Sequence, residues 1–395
     1  MKIAIIGEQS SKGGGSYHQS LKSYKLLSDI KGFEFILINI NSENKSDEKI
    51  THSINYNINL IDKLFFLFNS SKVLKSLLKK YNIHNRFEKL VKKEGIDLIL
   101  FLGNTRLAEF CDRINYATYI YEFHHIFRPD LPEYKEWTDY DFREHILNTN
   151  IKKSISLIVD TKKKKDAIEK YYNCYEKKIK VIPLSSNIST SNKQNTKLNL
   201  EQIKNWVGET NEFFFYPAQY WSHKNHYYIL EAIKVLNRKY NKKTKFIFTG
   251  HKKNNFSYIK KKIDELHLND QVVCLEYLGD EEIRNLYRNC KALVMPSLIG
   301  YSSLPLYEAF YYKKPVFYTL GLLDDSLKEF VTEIDIENPE NLAEEINNLE
   351  NNIEKINKKK LNAYEYFIKN LSDEKIKNYY TDFFMEIKKQ MKLYR

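Results

Sequence analysis

Glycine and proline are scarce, with 12 and 8 among 395 residues. A β-fold of many tight turns needs more of both, and a disordered chain needs fewer apolar residues than the 42% found here, so both classes are disfavoured. Cysteine is scarcer still. Cys111, Cys174, Cys274 and Cys290 form no C-x-x-C pair and do not cluster with histidines, which argues against disulfides and zinc and fits a reducing cytoplasm. No window reaches the roughly 18 apolar residues that a membrane-spanning helix requires, and Ile3–Ile6 is too short for the apolar core of a signal peptide. Arginine-rich stripes, zinc fingers and RNA-binding signatures are also missing. Lysine and arginine still outnumber acids 63 to 51, a formal charge of +12. Because the excess is scattered, nucleic acid is not an expected partner; an acidic small ligand, an anionic membrane surface and a plain solvated surface remain open.

What the chain does contain is alternation. Short apolar runs at Lys2–Gly7, Phe33–Ile40, Asp97–Leu102, Ala117–Phe123, Ser154–Asp160 and Lys178–Leu184 read as buried parallel strands separated by helical stretches. The pattern repeats at Phe213–Ala218, Lys245–Gly250, Val272–Gly279, Ala292–Met295 and Pro315–Thr319, with Phe330–Ile336 as a last strand run. The polar segment Ser185–Lys197 separates the two series. The expected division is a first α/β domain over 1–185, a linker and entry helix over 186–211, a second α/β domain over 212–370 and a closing helical segment over 371–395. Leu60–Tyr81 reads as one helix with an apolar face flanked by lysines, suited either to packing on its own domain or to an anionic bilayer interface.

The stretch that carries chemistry is Ala292–Thr319. Strand, loop, helix and strand follow one another there, and a helix beginning near Ser303 would direct backbone N–H groups beyond the carboxyl end of the first strand, where an anion sits well. Glu308, too far along that helix to cap it, is suited to accept hydrogen bonds from neighbouring hydroxyls or is a surface glutamate. Lys224 lies between the strand Phe213–Ala218 and the helix from Tyr227, a position from which an ammonium meets a diphosphate, or else is a surface lysine. Gly13-Gly14-Gly15 between the first strand and first helix is either a backbone approach to a ligand or a flexible turn. Tyr121-Glu122-Phe123-His124-His125 follows a strand run. Asp139-Tyr140-Asp141 is a D-x-D, but it lies in a charged stretch that reads as helix, so no metal is expected.

These motifs resemble the retaining nucleotide-sugar glycosyltransferases of family 4, whose fold is GT-B: two Rossmann-like α/β domains facing a central cleft, with a C-terminal helix that crosses back to the first. Pro296, Ser297, Leu304, Pro305, Glu308, Ala309 and Pro315-Val316 match the family signature, and Lys224-Asn225 matches its lysine motif. Gly300 stands where the family has the first glutamate of its pair, and Gln219 where it has an arginine. Both departures, with Gly300–Pro305 and the Tyr-Pro-Ala-Gln and Trp-x-His-Lys-Asn-His motifs, resemble a subgroup acting in O-antigen and polysaccharide assembly. The resemblance implies transfer of a hexose from a nucleoside-diphosphate sugar to a glycan or lipid-linked glycan acceptor, without a cofactor or metal. It implies donor binding by Gln219, Lys224, Gly300, Tyr301, Ser302, Ser303, Leu304 and Glu308, and acceptor or cleft contacts from Gly13, Gly14, Gly15, Glu122, His124 and His125. Lys224, Glu308 and His125 are the catalytic candidates, and the implied location is the cytoplasm, with peripheral contact to the inner face of the plasma membrane. A nucleotide-sugar epimerase and a degenerate, non-catalytic sugar-binding subunit are the alternatives.

Overall fold

The computed structural model describes residues 1–7, 15–41, 53–135, 139–186, 200–208 and 212–393. The chain forms two compact units, Met1–Phe123 with Tyr140–Ser185 and Asp373–Arg395, and His124–Asp139 with Ser186–Ser372. Each is built on one parallel sheet.

In unit 1 the strands are β1 (Lys2–Gly7), β2 (Glu34–Ile40), β3 (Ser53–Tyr56), β4 (Leu98–Leu102), β5 (Tyr116–Tyr119), β6 (Ser156–Val159) and β7 (Ile179–Val181), in the order β3-β2-β1-β4-β5-β6-β7. All pairings are parallel, with Ile5 opposite Leu37 on one side and Leu100 on the other. Strands this apolar are covered on both faces. The two-residue alternation sends Ile3, Ile5, Leu98 and Leu100 into one core and Ala4, Ile6, Ile99 and Phe101 into the opposite one.

The helix Asp373–Lys392 completes the first of those cores. Ile376, Tyr380, Phe383, Phe384 and Ile387 recur at helical spacing and pack with Ile3, Tyr24 and Leu27. Lys22 on the helix Gly15–Ser28 anchors its start through an ion pair with Asp373 at 2.6 Å.

Unit 2 holds β8 (Phe214–Pro217), β9 (Phe246–Thr249), β10 (Val272–Leu275), β11 (Ala292–Met295), β12 (Val316–Thr319) and β13 (Thr332–Ile334), in the order β10-β9-β8-β11-β12-β13. Again every pairing is parallel.

Several local expectations change. The segment His124–Asp139, expected with the first domain, clusters with unit 2, because Leu131 and Tyr134 pack against Ile299. The single helix expected over Leu60–Tyr81 is two, Leu60–Ser70 and Lys72–Lys80, broken where Ser71 turns extended at φ −100°, ψ 121°. The strand β3, Ser53–Tyr56, lies outside the expected strand runs. The expected strand Phe330–Ile336 is a 3-10 turn, Asp325–Phe330, followed by the three-residue β13. No helix among the described residues is long and apolar enough to cross a membrane.

Candidate functional site

Parallel strands bring their carboxyl ends to one edge of a sheet, and in unit 2 the connections diverge between β8 and β11. Ligands of open α/β sheets bind beyond the strand ends at such a switch point. The loops that leave β8 and β11 meet there.

The first loop carries Lys224. After β8 the chain makes a 3-10 turn, Ser222–Lys224, and enters the helix His226–Tyr240 through Asn225, whose φ of +54° is left-handed. The Tyr216 hydroxyl, rising from β8, donates to the Lys224 carbonyl at 2.8 Å and lies 3.2 Å from the Ser297 hydroxyl. Leu298 N–H donates to the His223 carbonyl at 2.8 Å, and the Thr319 hydroxyl donates to the Ser297 carbonyl at 2.7 Å. The loops after β8 and β11 are thus bonded to each other and to β12, which fixes the backbone that carries the lysine. Gln219 turns its side-chain oxygen to the Trp221 indole N–H at 2.9 Å. Gly250, at the end of β9, is required: a Cβ there would meet the Ala218 carbonyl oxygen at 2.6 Å.

Beneath this loop His226 is fully buried, stacked on Tyr220 at 4.7 Å and beside Phe248 at 5.2 Å. Burial, with the nearby Lys224 charge second, pushes its imidazole down to about 3, so it is neutral and packs as an aromatic residue.

Sequence reading missed Glu133. This buried carboxylate accepts a hydrogen bond from the His223 backbone N–H at 3.1 Å and bonds the His223 ring through Nδ1. Burial favours its neutral acid, yet the bonds from His223 outweigh that and hold the carboxyl below its usual range. His223 immediately precedes Lys224, so Glu133 braces the lysine loop. Nothing local in the sequence marks Glu133, because its partner His223 lies 90 residues away.

The second loop carries Gly300 to Leu304. Gly300 has φ +114°, and its carbonyl accepts from the Tyr318 hydroxyl at 3.0 Å. Tyr301 offers its carbonyl to Asp324 N–H at 3.2 Å, and Ser302 is buried. Ser303 caps the helix Leu304–Tyr311, accepting from Leu306 N–H at 3.3 Å, which matches the helix expected to begin near Ser303. Glu308 is the fifth residue of that helix and only partly exposed. Burial pushes its carboxyl up to about 7; repulsion from Asp280 adds to this, while a hydrogen bond from Tyr287 and the Arg284 charge oppose it. The Tyr287 phenol is itself driven well up by burial and by Glu308. A helix start and a half-buried carboxyl on the next turn suit a ligand with an anionic group and vicinal hydroxyls.

Residues 199–370 match the family profile of glycosyl transferases group 1. No curated protein matches the chain. Among solved structures, the Anabaena protein HepE in complex with UDP and glucose is similar at a TM-score of 0.70 and 16% identity, over 98% of this chain and 100% of that one. Sucrose-phosphate synthase from Thermosynechococcus elongatus is similar at a TM-score of 0.72 and 12% identity, over 98% and 99%. The S. aureus protein TarM, solved as a mutant with fondaparinux, α-GlcNAc-glycerol and UDP, reaches 0.66 at 13% identity, over 96% and 99%. The fold is GT-B.

Within this GT-B chain the expected donor residues Gln219, Lys224, Gly300, Tyr301, Ser302, Ser303, Leu304 and Glu308 all lie in unit 2, on the loops after β8 and β11 and the helix that follows. The expected acceptor residues divide. His124 and His125 belong to unit 2 and are both buried; the His124 ring meets Tyr301 edge-on at 5.6 Å, and the His125 ring faces Tyr134 at 6.2 Å. Glu122 belongs to unit 1, where Arg143 pairs with it at 2.6 Å. Gly15 is the first residue of the helix Gly15–Ser28, while Gly13 and Gly14 lie outside the described residues. Asp139 and Asp141 sit in the first turn of the helix Asp139–Lys153. Among the described residues no three His, Cys, Asp or Glu side chains form a metal-binding group.

Proposed function

We propose that the protein is a retaining glycosyltransferase that moves a hexose from a nucleoside-diphosphate sugar to a glycan or lipid-linked glycan acceptor in surface polysaccharide assembly. The observation that carries this reading is the joining of the Lys224 loop to the loop after β11 that leads into the Ser303-capped helix, inside the segment that matches the group 1 family. The UDP complexes of structurally similar GT-B proteins support a nucleotide donor. In this reading the diphosphate lies between the Lys224 ammonium and the helix start at Ser303, and the Glu308 carboxylate accepts from the ribose hydroxyls. His124, whose ring touches Tyr301, flanks the sugar, and His125 supports it from behind. The acceptor is held by unit 1.

As the glycosidic bond breaks, negative charge grows on the leaving phosphate, and Lys224 stabilises it without a metal. The same phosphate takes the proton of the attacking hydroxyl on the face it leaves, so configuration is retained and no nucleophilic side chain is needed. Turnover tests this: release of nucleoside diphosphate from a panel of nucleotide sugars in the presence of lipid-linked glycans, with product configuration read by NMR. Lys224→Ala is expected to lower the rate more than tenfold, since one charged donor in such a site contributes about 2–4 kcal/mol. A second reading, a nucleotide-binding subunit without turnover, is favoured by Gly300 and Gln219 standing where the resembling family has a glutamate and an arginine. Tight nucleotide binding with no transfer from any donor would support it.

A further inference from the structure

A cavity of about 660 Å³ opens in unit 1, within the range that holds small molecules. It lies at the amino ends of three neighbouring strands, the sheet edge opposite the carboxyl ends where open α/β sheets usually bind ligands. Ile96 and Asp97 lead into β4, Ile114 and Asn115 into β5, and Ile155 into β6. The helix Arg86–Lys93 and the end of the closing helix supply further walls.

The floor is apolar because both cores of the sheet reach this edge. Val91, Ile96 and Ile114 belong to one core, Ile155 and Met391 to the other, and Ile114, Ile155 and Met391 are only partly buried. The charges around this floor do not cancel. Glu88 is buried and accepts from the Arg113 backbone N–H at 3.2 Å, with His84 Nδ1 at 3.3 Å from its other oxygen. Asp97 accepts from the Lys2 backbone N–H at 2.9 Å. Both carboxylates are therefore engaged within the protein. Lys92, one turn after Glu88 on the same helix, is exposed, and its ammonium has no partner among the described residues. Arg113 is exposed as well. Its Nη1 donates to Asn82 Oδ1 at 2.6 Å and rests on the His84 ring, 2.9 Å from Nε2, and among the described residues no carboxylate pairs with its guanidinium. A cationic ligand would meet two like charges here, and a bare inorganic anion would leave the apolar floor in water. A molecule with an anionic head and an apolar body answers both features.

We propose that this cavity is a second small-molecule site, which takes an amphipathic anion: one carboxylate or phosphate group joined to an apolar body. Lys92 and Arg113 hold the head, and Ile114, Ile155 and Met391 cover the body. The site goes beyond the transferase reading and does not depend on it.

The test is titration calorimetry of the full chain with five probes, each below its micelle-forming concentration: decanoate, decyl phosphate, decanol, decyltrimethylammonium and inorganic phosphate. One site per chain is expected for decanoate or decyl phosphate, the tighter of the two naming the head group, with decanol at least tenfold weaker and no binding of the cation or of inorganic phosphate. Lys92→Glu and Met391→Asp are each expected to weaken the anionic probe about tenfold, the first by reversing the charge at the head and the second by placing a like charge on the floor. Thermal unfolding of both variants runs in parallel; if Met391→Asp does not unfold cooperatively, Met391→Ser takes its place. No binding of either anionic probe, equal binding of decanol and decanoate, binding of the cation, or affinity unchanged in both variants overturns the proposal.

Discussion

Glu308 titrates where binding is measured. Its carboxyl, pushed up to about 7 by burial, is largely protonated at pH 6 and largely ionised at pH 8. If only the carboxylate accepts both ribose hydrogen bonds, affinity for the nucleoside diphosphate falls about tenfold from pH 8 to pH 6. The diphosphate titrates in the same range, so the comparison is with Glu308→Gln, whose affinity is expected to be lower at pH 8 and to lack this component. Stability moves oppositely. The folded-state value lies above the ordinary 4.5, so folding holds this proton and stability is lost as pH rises through about 7. Without ligand, Glu308→Gln should therefore melt higher than wild type at pH 8 and match it near pH 4.5. At Glu133 the expected effect is on chemistry rather than affinity. Glu133→Gln weakens the hold on His223 and so the placement of Lys224; kcat is expected to fall severalfold while nucleotide affinity changes much less, as titration calorimetry beside turnover would record.

At the scale of elements, the loop-bearing strands were readable because their chemistry is local. A continuous apolar run such as Phe214–Pro217 followed by a polar turn can be recognised without knowing its neighbours. The Lys224-Asn225 pair also has a local cause: the chain passes through a left-handed φ at 225, which asparagine and glycine tolerate. Gly300 likewise sits at φ +114°, so its glycine belongs to the backbone path of the loop, and a glutamate there would be strained. What could not be read depends on partners distant in sequence. Glu133 reaches His223 across 90 residues, and the burial of His124 and His125 follows from the packing of their segment on unit 2. The strand β3, Ser53–Tyr56, has no continuous apolar run to mark it, and nothing in the apolar pattern marks the break at Ser71. The closing helix gives the clearest element-scale test. Phe384, fully buried and 5.6 Å ring to ring from both Phe33 and Phe35, joins that helix to the first sheet. Phe384→Ala is expected to cost about 3–5 kcal/mol and to lower the melting temperature of unit 1 by roughly 10 °C, measured by calorimetry.

For the whole molecule, two parallel sheets that share one order over six strands, the first with a seventh strand added at its edge, follow from a sequence in which apolar runs and helices alternate twice around a polar linker. The division of labour, donor on the second unit and acceptor on the first, is the central claim. It is tested most directly by thermal stabilisation of the purified protein with a panel of nucleoside diphosphates and nucleotide sugars, with and without Mg²⁺, on wild type and Lys224→Ala. The account expects one nucleotide to raise the melting temperature without metal, its matching sugar conjugate to raise it further, and Lys224→Ala to diminish both shifts. No shift with any nucleotide, or a shift that requires Mg²⁺ and is indifferent to Lys224, would contradict it.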